Sequence, residues 1–267
     1  MFKKCMVVVS CALLASCSVM RQEKEQAPVT VMDNEALQAG DLRIAASALA
    51  SGDLEAALSL YQRIVRAHPN NMDAWLGLAA ARYLSGDISL AREAYEKVLS
   101  QDSQQLDAQL GLARLDIRQR RLPEAIDRYT RILAYAPDNP LALAGMGVAY
   151  DLMGDHVKAQ SVYRQGMKTH PDHPALRSNL GLSLSLSGKP RDAVNVLLDV
   201  TGVPGSLPQG RQNLALAYGL MGREDAAESI LLGDLPRDTV QDNLIFYREV
   251  RQRMGLKEPA RVQKPVP

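Results

Sequence analysis

Cysteine, aromatic residues and clustered charge are all scarce in this chain. Its three cysteines fall at positions 5, 11 and 17, so no disulfide framework or thiolate metal site can be built through the body of the sequence. Aromatic residues make up 4%, with one Trp and two Phe, whereas Ala and Leu abound. That profile disfavours a β-rich core and favours helices packed through small side chains. The 31 Lys and Arg nearly balance the 30 Asp and Glu, and no basic run occurs. Nucleic-acid affinity rests on counterion release by clustered cations, so that partner class is excluded. No HExxH, GxSxG or P-loop pattern is present. His170 and His173 in "HPDHP" have the spacing of a metal pair, but a solvated loop is the simpler reading. The sequence therefore reads as a non-enzyme with no metal site.

What is present begins at the N-terminus. Lys3 and Lys4 precede a short apolar run, "CMVVVSCALLA", which is too short to span a bilayer and has the form of a signal peptide over residues 1–16. It ends in Leu14-Ala15-Ser16-Cys17, which resembles the lipobox of bacterial lipoproteins. That resemblance implies cleavage before Cys17 and several acyl chains on it, enough for stable anchoring. The alternatives are an ordinary signal peptide followed by an incidental cysteine, or a buried N-terminal helix. Ser18, where Asp would retain a lipoprotein at the inner membrane, implies an outer-membrane address facing the periplasm of a Gram-negative cell. Residues 17–34 are expected to form the lipidated N-terminus and a polar tether.

Beyond the tether the sequence repeats with a period of 34 residues. Gly52, Gly86, Arg120, Gly154, Gly188 and Gly222 mark one column. Ala57, Ala91, Ala125, Ala159, Ala193 and Ala227 mark a second, and Tyr61, Tyr95, Tyr129, Tyr163, Leu197 and Leu231 a third. Before each turn stand Ile44, Leu78, Leu112, Met146, Leu180 and Leu214, each followed by Ala or Gly. These columns resemble the tetratricopeptide repeat, a helix-turn-helix unit. They predict an all-α solenoid of six helical hairpins in which small columns bring backbones together. Gly at the turn ends the first helix of each unit, Asp53, Asp87 and Asp155 cap the second, and Pro69, Pro137 and Pro171 stop it. Residues 238–254 form an amphipathic capping helix, closing a solenoid over 35–254, and the tail 255–267 is expected to be disordered. The junction "TGVPGSLP" (201–208) marks a looser joint, and the second helix of the sixth unit is expected to be short.

In the repeat family, the first helix of each unit lines a concave groove through positions 2, 5, 9 and 12, which share one helical face. The resemblance puts Leu42, Leu76, Tyr83, Leu110, Arg114, Ile117, Val148, Leu182 and Leu216 there. The groove is thus expected to be largely apolar and suited to a helix or extended segment of a partner protein. Leu42, Ala46, Leu76, Gly77 and Ala80 occupy positions where the family's carboxylate clamp would need Lys, Arg or Asn. Chaperone-tail recognition is therefore disfavoured.

The last third, with "RQNLALAYGLMGREDAAESIL" and then "DNLIFYREVR", resembles the C-terminal half of the TadD-type lipoproteins of the tight-adherence (Flp) pilus machinery. This implies an outer-membrane scaffold of the pilotin kind that binds the pilus secretin or an associated periplasmic protein. Two other readings stay open. One is an adaptor for barrel assembly or peptidoglycan synthesis, and the other a non-catalytic subunit of a periplasmic hydrolase. Neither nucleic acid nor a small-molecule substrate is expected as a partner. No cofactor is expected beyond the lipid on Cys17.

Overall fold

Each unit turns back on itself at the residue of the Gly column. The backbone there is left-handed at Gly52, Gly86, Gly154, Gly188 and Gly222, and also at Arg120, whose φ is 60°. A glycine adopts this conformation freely, whereas a residue with a Cβ is strained by about 1–2 kcal/mol. The third unit keeps the geometry without the residue that favours it.

The computed structural model describes residues 31–201 and 208–256. The signal segment, Cys17, the expected tether up to residue 30, residues 202–207 of the looser junction and the tail from 257 lie outside the described residues. Among the described residues there are thirteen helices and no strand, so the fold is all-α as expected. The first helices of the six units are α1 (Val31–Ser51), α3 (Met72–Ser85), α5 (Leu106–Arg118), α7 (Pro140–Leu152), α9 (Pro174–Leu186) and α11 (Pro208–Leu220). The second helices are α2 (Leu54–Ala67), α4 (Ile88–Leu99), α6 (Leu122–Tyr135), α8 (His156–Thr169), α10 (Pro190–Thr201) and α12 (Glu224–Leu231). The chain ends in the capping helix α13 (Arg237–Arg253). α1 begins at Val31, so helix replaces the last part of the expected tether. α12 is short, at 8 residues. No described helix is long and apolar enough to cross a membrane.

Every first helix touches the first helix of the next unit, whereas successive second helices do not touch each other. The first helices thus form the tighter, inner layer, and the second helices the outer one. Between the layers lies the alanine column: Ala57, Ala91, Ala125, Ala159, Ala193 and Ala227 are all 0% exposed. No larger side chain fits there at this helix spacing. Leu78, Leu112, Leu180 and Leu214 of the apolar column are buried as well. Ile44 is not: it is 58% exposed, because no hairpin among the described residues precedes the first unit to cover it. At the other end α13 supplies that cover, burying Val240, Leu244 and Tyr247 against the sixth unit.

Polar groups tie the units together where apolar contacts cannot. Asp116, 1% exposed, accepts from Arg92 Nη2 (2.8 Å), Arg121 Nη2 (2.8 Å) and Arg128 Nε (3.2 Å), joining α4, α5 and α6. Three charged donors satisfy a carboxylate that would otherwise be costly to bury. Asp234, which breaks the apolar pattern of the sixth unit, takes a bidentate pair from Arg211 at 2.7 and 2.6 Å.

Helix caps follow two columns. Asp53 and Asp155 accept from the backbone N–H three residues on, as expected. Asp87 makes no cap bond; its carboxylate instead accepts from Ser85 Oγ at 3.1 Å. The first helices are capped by the residue before them: Asn71, Gln105 and Asn139 accept from Ala74, Ala108 and Ala142 N–H at 2.7–2.8 Å. His173 occupies the same place before α9, makes no cap bond, and leaves its Nδ1 buried without a partner. Burial and the neighbouring His170 hold its imidazole below the ordinary 6.5. In the unfolded chain His173 binds protons more readily, so this contribution to stability is lost as pH falls through about 6.5 and below. His173→Asn should restore the cap and add about 1 kcal/mol at neutral pH. The gain should widen in mildly acidic buffer, read as the difference in thermal midpoint between the two proteins. An equal midpoint at both pH values would contradict the cap assignment.

Candidate binding groove

The nine residues expected to line the groove all lie on first helices, in the inner layer. Leu42, Leu76, Tyr83, Ile117, Val148, Leu182 and Leu216 are half-buried, and Arg114 is exposed. Leu110 is a correction. It is 1% exposed and packs among Ala113, Tyr129, Ala142 and Ala149. Its position falls at the seam between α5 and α7, where the neighbouring helix covers it, so Leu110 belongs to the core and offers no surface to a ligand.

Four of the expected residues converge. Tyr83, Arg114, Ile117 and Val148 line a cleft of about 460 Å³ running across α3, α5 and α7 to α9. That lies within the range of volumes that hold ligands. Leu42, Leu76, Leu182 and Leu216 lie on the same layer but outside this cleft. Leu141, Ala144, Gly145 and Asn179, not singled out from the sequence, complete its lining together with Tyr129 of the third column. A second cleft of about 550 Å³ opens between the first two units, lined by Trp75, Arg66, Arg82, Glu93 and Lys97 among others.

Glycine explains why the floor of the first cleft contains a tyrosine. A Cβ on Gly145 would meet the Tyr129 ring at 2.2 Å, and Gly77 and Gly111 receive Tyr61 and Tyr95 in the same way. In these units the ring of the third column reaches forward onto the next first helix. From the fourth unit the direction reverses. Tyr163 lies on Gly147 and Leu197 on Gly181, both within their own hairpins. The forward position is then Asn179 or Asn213, which leaves no room for a ring. A glycine at position 6 followed by a switch to position 8 was the available signal.

The cleft's electrostatics are simple. Arg114 has no ion pair or hydrogen bond among the described residues, and no carboxylate lines the cleft. Burial pushes the Tyr129 phenol up to about 12, against a smaller opposing pull from Arg114. It therefore stays protonated at neutral pH and can serve as a donor. Arg118 stacks on the Tyr83 ring at 5.1 Å and donates to Tyr83 O at 2.6 Å, fixing that wall. The Asn179 side-chain amide has no hydrogen bond among the described residues. One unit on, Asn213 Nδ2 bonds to Ser178 Oγ at 3.0 Å, but the residue facing Asn179 at the equivalent place is Ala144. A polypeptide with exposed main-chain groups and apolar side chains suits this lining.

A second polar group contains Asp, His and Ser, but its wiring differs from a hydrolytic triad. Asp151 Oδ1 takes both Ser183 Oγ (2.6 Å) and His156 Nδ1 (2.8 Å), and Tyr163 donates to Oδ2 (2.9 Å). A relay needs the imidazole between hydroxyl and carboxylate. Here the carboxylate is the hub, tying α7, α8 and α9 together. Burial and then Asp151 hold the Tyr163 phenol above its ordinary range. His170 Nε2 lies 2.8 Å from Asp138 O, and no group of three metal-ligating side chains occurs among the described residues.

Tetratricopeptide-repeat profiles match residues 42–105, 82–147 and 118–178, together about half of the chain. The chain belongs to the tetratricopeptide-repeat family. No curated protein matches it in sequence. Among solved structures it is similar to PilF of Pseudomonas aeruginosa, with 16% identity and a TM-score of 0.62 over 83% of this chain and 97% of that one. It is similar to PilW, a widely conserved type IV pilus biogenesis factor, with 17% identity and a TM-score of 0.63 over 82% and 98%. A structure of the Cut9–Hcn1 assembly reaches 0.65 at 22% identity, over 79% of this chain but 43% of that one. At these identities the likeness is one of fold.

Gly145→Ala should displace Tyr129 from the cleft floor and destabilise the protein by about 1–3 kcal/mol in urea titrations. Gly40→Ala is the control: nothing lies within 4 Å of its added Cβ, and α1 should gain about 0.5–1 kcal/mol. Equal midpoints for Gly145→Ala and the parent would contradict the tyrosine-on-glycine contact.

Proposed function

We propose that this protein is a non-catalytic scaffold for pilus assembly, holding a segment of another envelope protein in the groove of its inner helix layer. The observation that supports this best is the extent of the structural likeness. PilF and PilW are matched over nearly their whole lengths, whereas the Cut9 assembly is matched over less than half. PilW is a type IV pilus biogenesis factor, and a related role fits the tight-adherence resemblance of residues 211–251.

In this reading Cys17 carries the lipid and the solenoid stands at the outer membrane, facing the periplasm. The bound segment belongs to the pilus secretin or to a periplasmic protein that accompanies it. Tethering both partners to one surface raises their effective concentration without adding contacts. The residues proposed to meet the segment are Tyr83, Arg114, Ile117, Val148 and Asn179, with apolar side chains against the walls and main-chain groups on Asn179. Leu42, Leu76, Leu182 and Leu216 would extend the track on either side.

Cys17→Ser should release the protein from membranes washed in high salt, which the lipidated parent resists, and reduce heat-stable secretin multimers. Unchanged multimers in that strain would count against the secretin role. A protein still held by the membranes after the high-salt wash would count against the anchor.

A further inference from the structure

The two long edges of the solenoid differ in charge, and apart from Arg118, which braces Tyr83, neither the fold nor the groove requires it. The loops between units carry Asp102, Asp138 and Asp172, and no Lys or Arg occurs in residues 68–71, 100–105, 136–139 or 170–173. The opposite edge is made by the turns within units. Neighbouring turns on that edge are in contact. Arg118 reaches the turn before it (3.9 Å from a Cβ on Gly86), and Gln160 Nε2 donates to Ser187 Oγ at 2.8 Å. In units three to five this edge carries Arg118, Arg120, Lys189 and Arg191, none paired with a carboxylate among the described residues. Asp53, Glu55 and Asp87 lie at the turns of the first two units; in units three to five Glu124 and Asp192 stand in the first turns of α6 and α10, and Asp155 is neutralised by Lys158 at 2.7 Å, so the cations still outnumber the free carboxylates there.

Large apolar side chains protrude among these cations. At the turn of the fourth unit Met153 is 53% and Val157 77% exposed, the latter the most exposed large hydrophobic residue described. Leu152 and Leu186 flank them, exposed at the ends of α7 and α9. Basic residues interleaved with protruding aliphatic ones, on an edge and not in a concave site, fit a bilayer interface. The aliphatic tips enter the acyl boundary while the cations meet anionic headgroups. Nucleic acid would want aromatic stacking or a basic groove, and Met153 and Val157 have no use there.

Arg120 adds an independent observation. It is the one described non-glycine residue with a left-handed backbone, placed at the apex of the turn. Glycine would relieve the strain at no structural loss, as five sister units show. Strain retained at one apex points to a use for the side chain.

We infer that the turn edge of units three to five lies against an anionic phospholipid surface, orienting the solenoid on the membrane. This does not depend on the pilus reading, nor on the acyl anchor. The test uses lipid-free chain from residue 17 onward carrying Cys17→Ser, which keeps every described helix. It is sedimented with vesicles of phosphatidylglycerol and phosphatidylethanolamine in equal parts, or of phosphatidylcholine alone. Binding is expected to the anionic vesicles only, and to be lost in high salt. Each basic residue near the surface contributes about 1 kcal/mol, so Arg120→Gly should weaken partition about fivefold, and Arg191→Glu more. Val157→Asp should weaken it too. Arg120→Gly should also melt higher than the parent, so its loss of binding cannot be misfolding. Equal partition to both vesicle types, or full binding by Arg120→Gly and Arg191→Glu, would overturn the inference. So would no sedimentation with anionic vesicles; retention on immobilised polyglutamate would then assign the edge to an acidic protein.

Discussion

The contact on which the stack depends is an aromatic ring laid on a glycine. Tyr61, Tyr95 and Tyr129 each fill the space left by the missing Cβ on the following inner helix. One side chain thereby fixes both the distance and the order of two units. Tyr129 is 1% exposed and Tyr95 6%, so the rings are core residues that touch the groove only at their tips. The alanine column closes each hairpin; in the first three units the tyrosine joins the hairpin to the next. Because solenoid stability is a sum over such neighbouring interfaces, weakening one ring loosens a joint as well as a unit.

The same contact shapes the groove. Where the ring reaches forward onto Gly145, the inner layer keeps a shallow depression walled by Tyr83, Ile117, Leu141 and Val148. Where it turns back onto Gly147, the forward position is free to become Asn179. The reversal therefore places an amide donor beside an apolar cleft at the middle of the solenoid. Asp151 stabilises the reversal by accepting from Tyr163 and from Ser183 of the next unit. Packing and binding surface are thus consequences of one choice of glycine position.

Much of this was legible in the sequence. The 34-residue columns predicted hairpins, turns and the capping helix, because identical spacing repeats identical surroundings. Three things escaped. Leu110 shares the phase of groove residues, yet a seam residue is covered by a neighbour that phase alone does not reveal. Asp87 has the position of a cap but takes Ser85 as donor, since local hydrogen bonds compete with capping. The charge difference between the two edges required adding residues from separate turns, which periodicity analysis treats one unit at a time. Arg120 was visible as a departure from the glycine column, but only its backbone angle shows that it bears strain.

The central claim is that the inner layer grips a partner segment at the cleft running from the second to the fifth unit. Its most direct measurement is site-specific photocrosslinking in intact cells. A benzophenone amino acid replaces Leu141 in the cleft or Leu90 on the outer layer, which lines the second cleft. The account predicts a discrete adduct with a component of the pilus machinery from position 141 and none from position 90. Adducts from position 90 alone would contradict it.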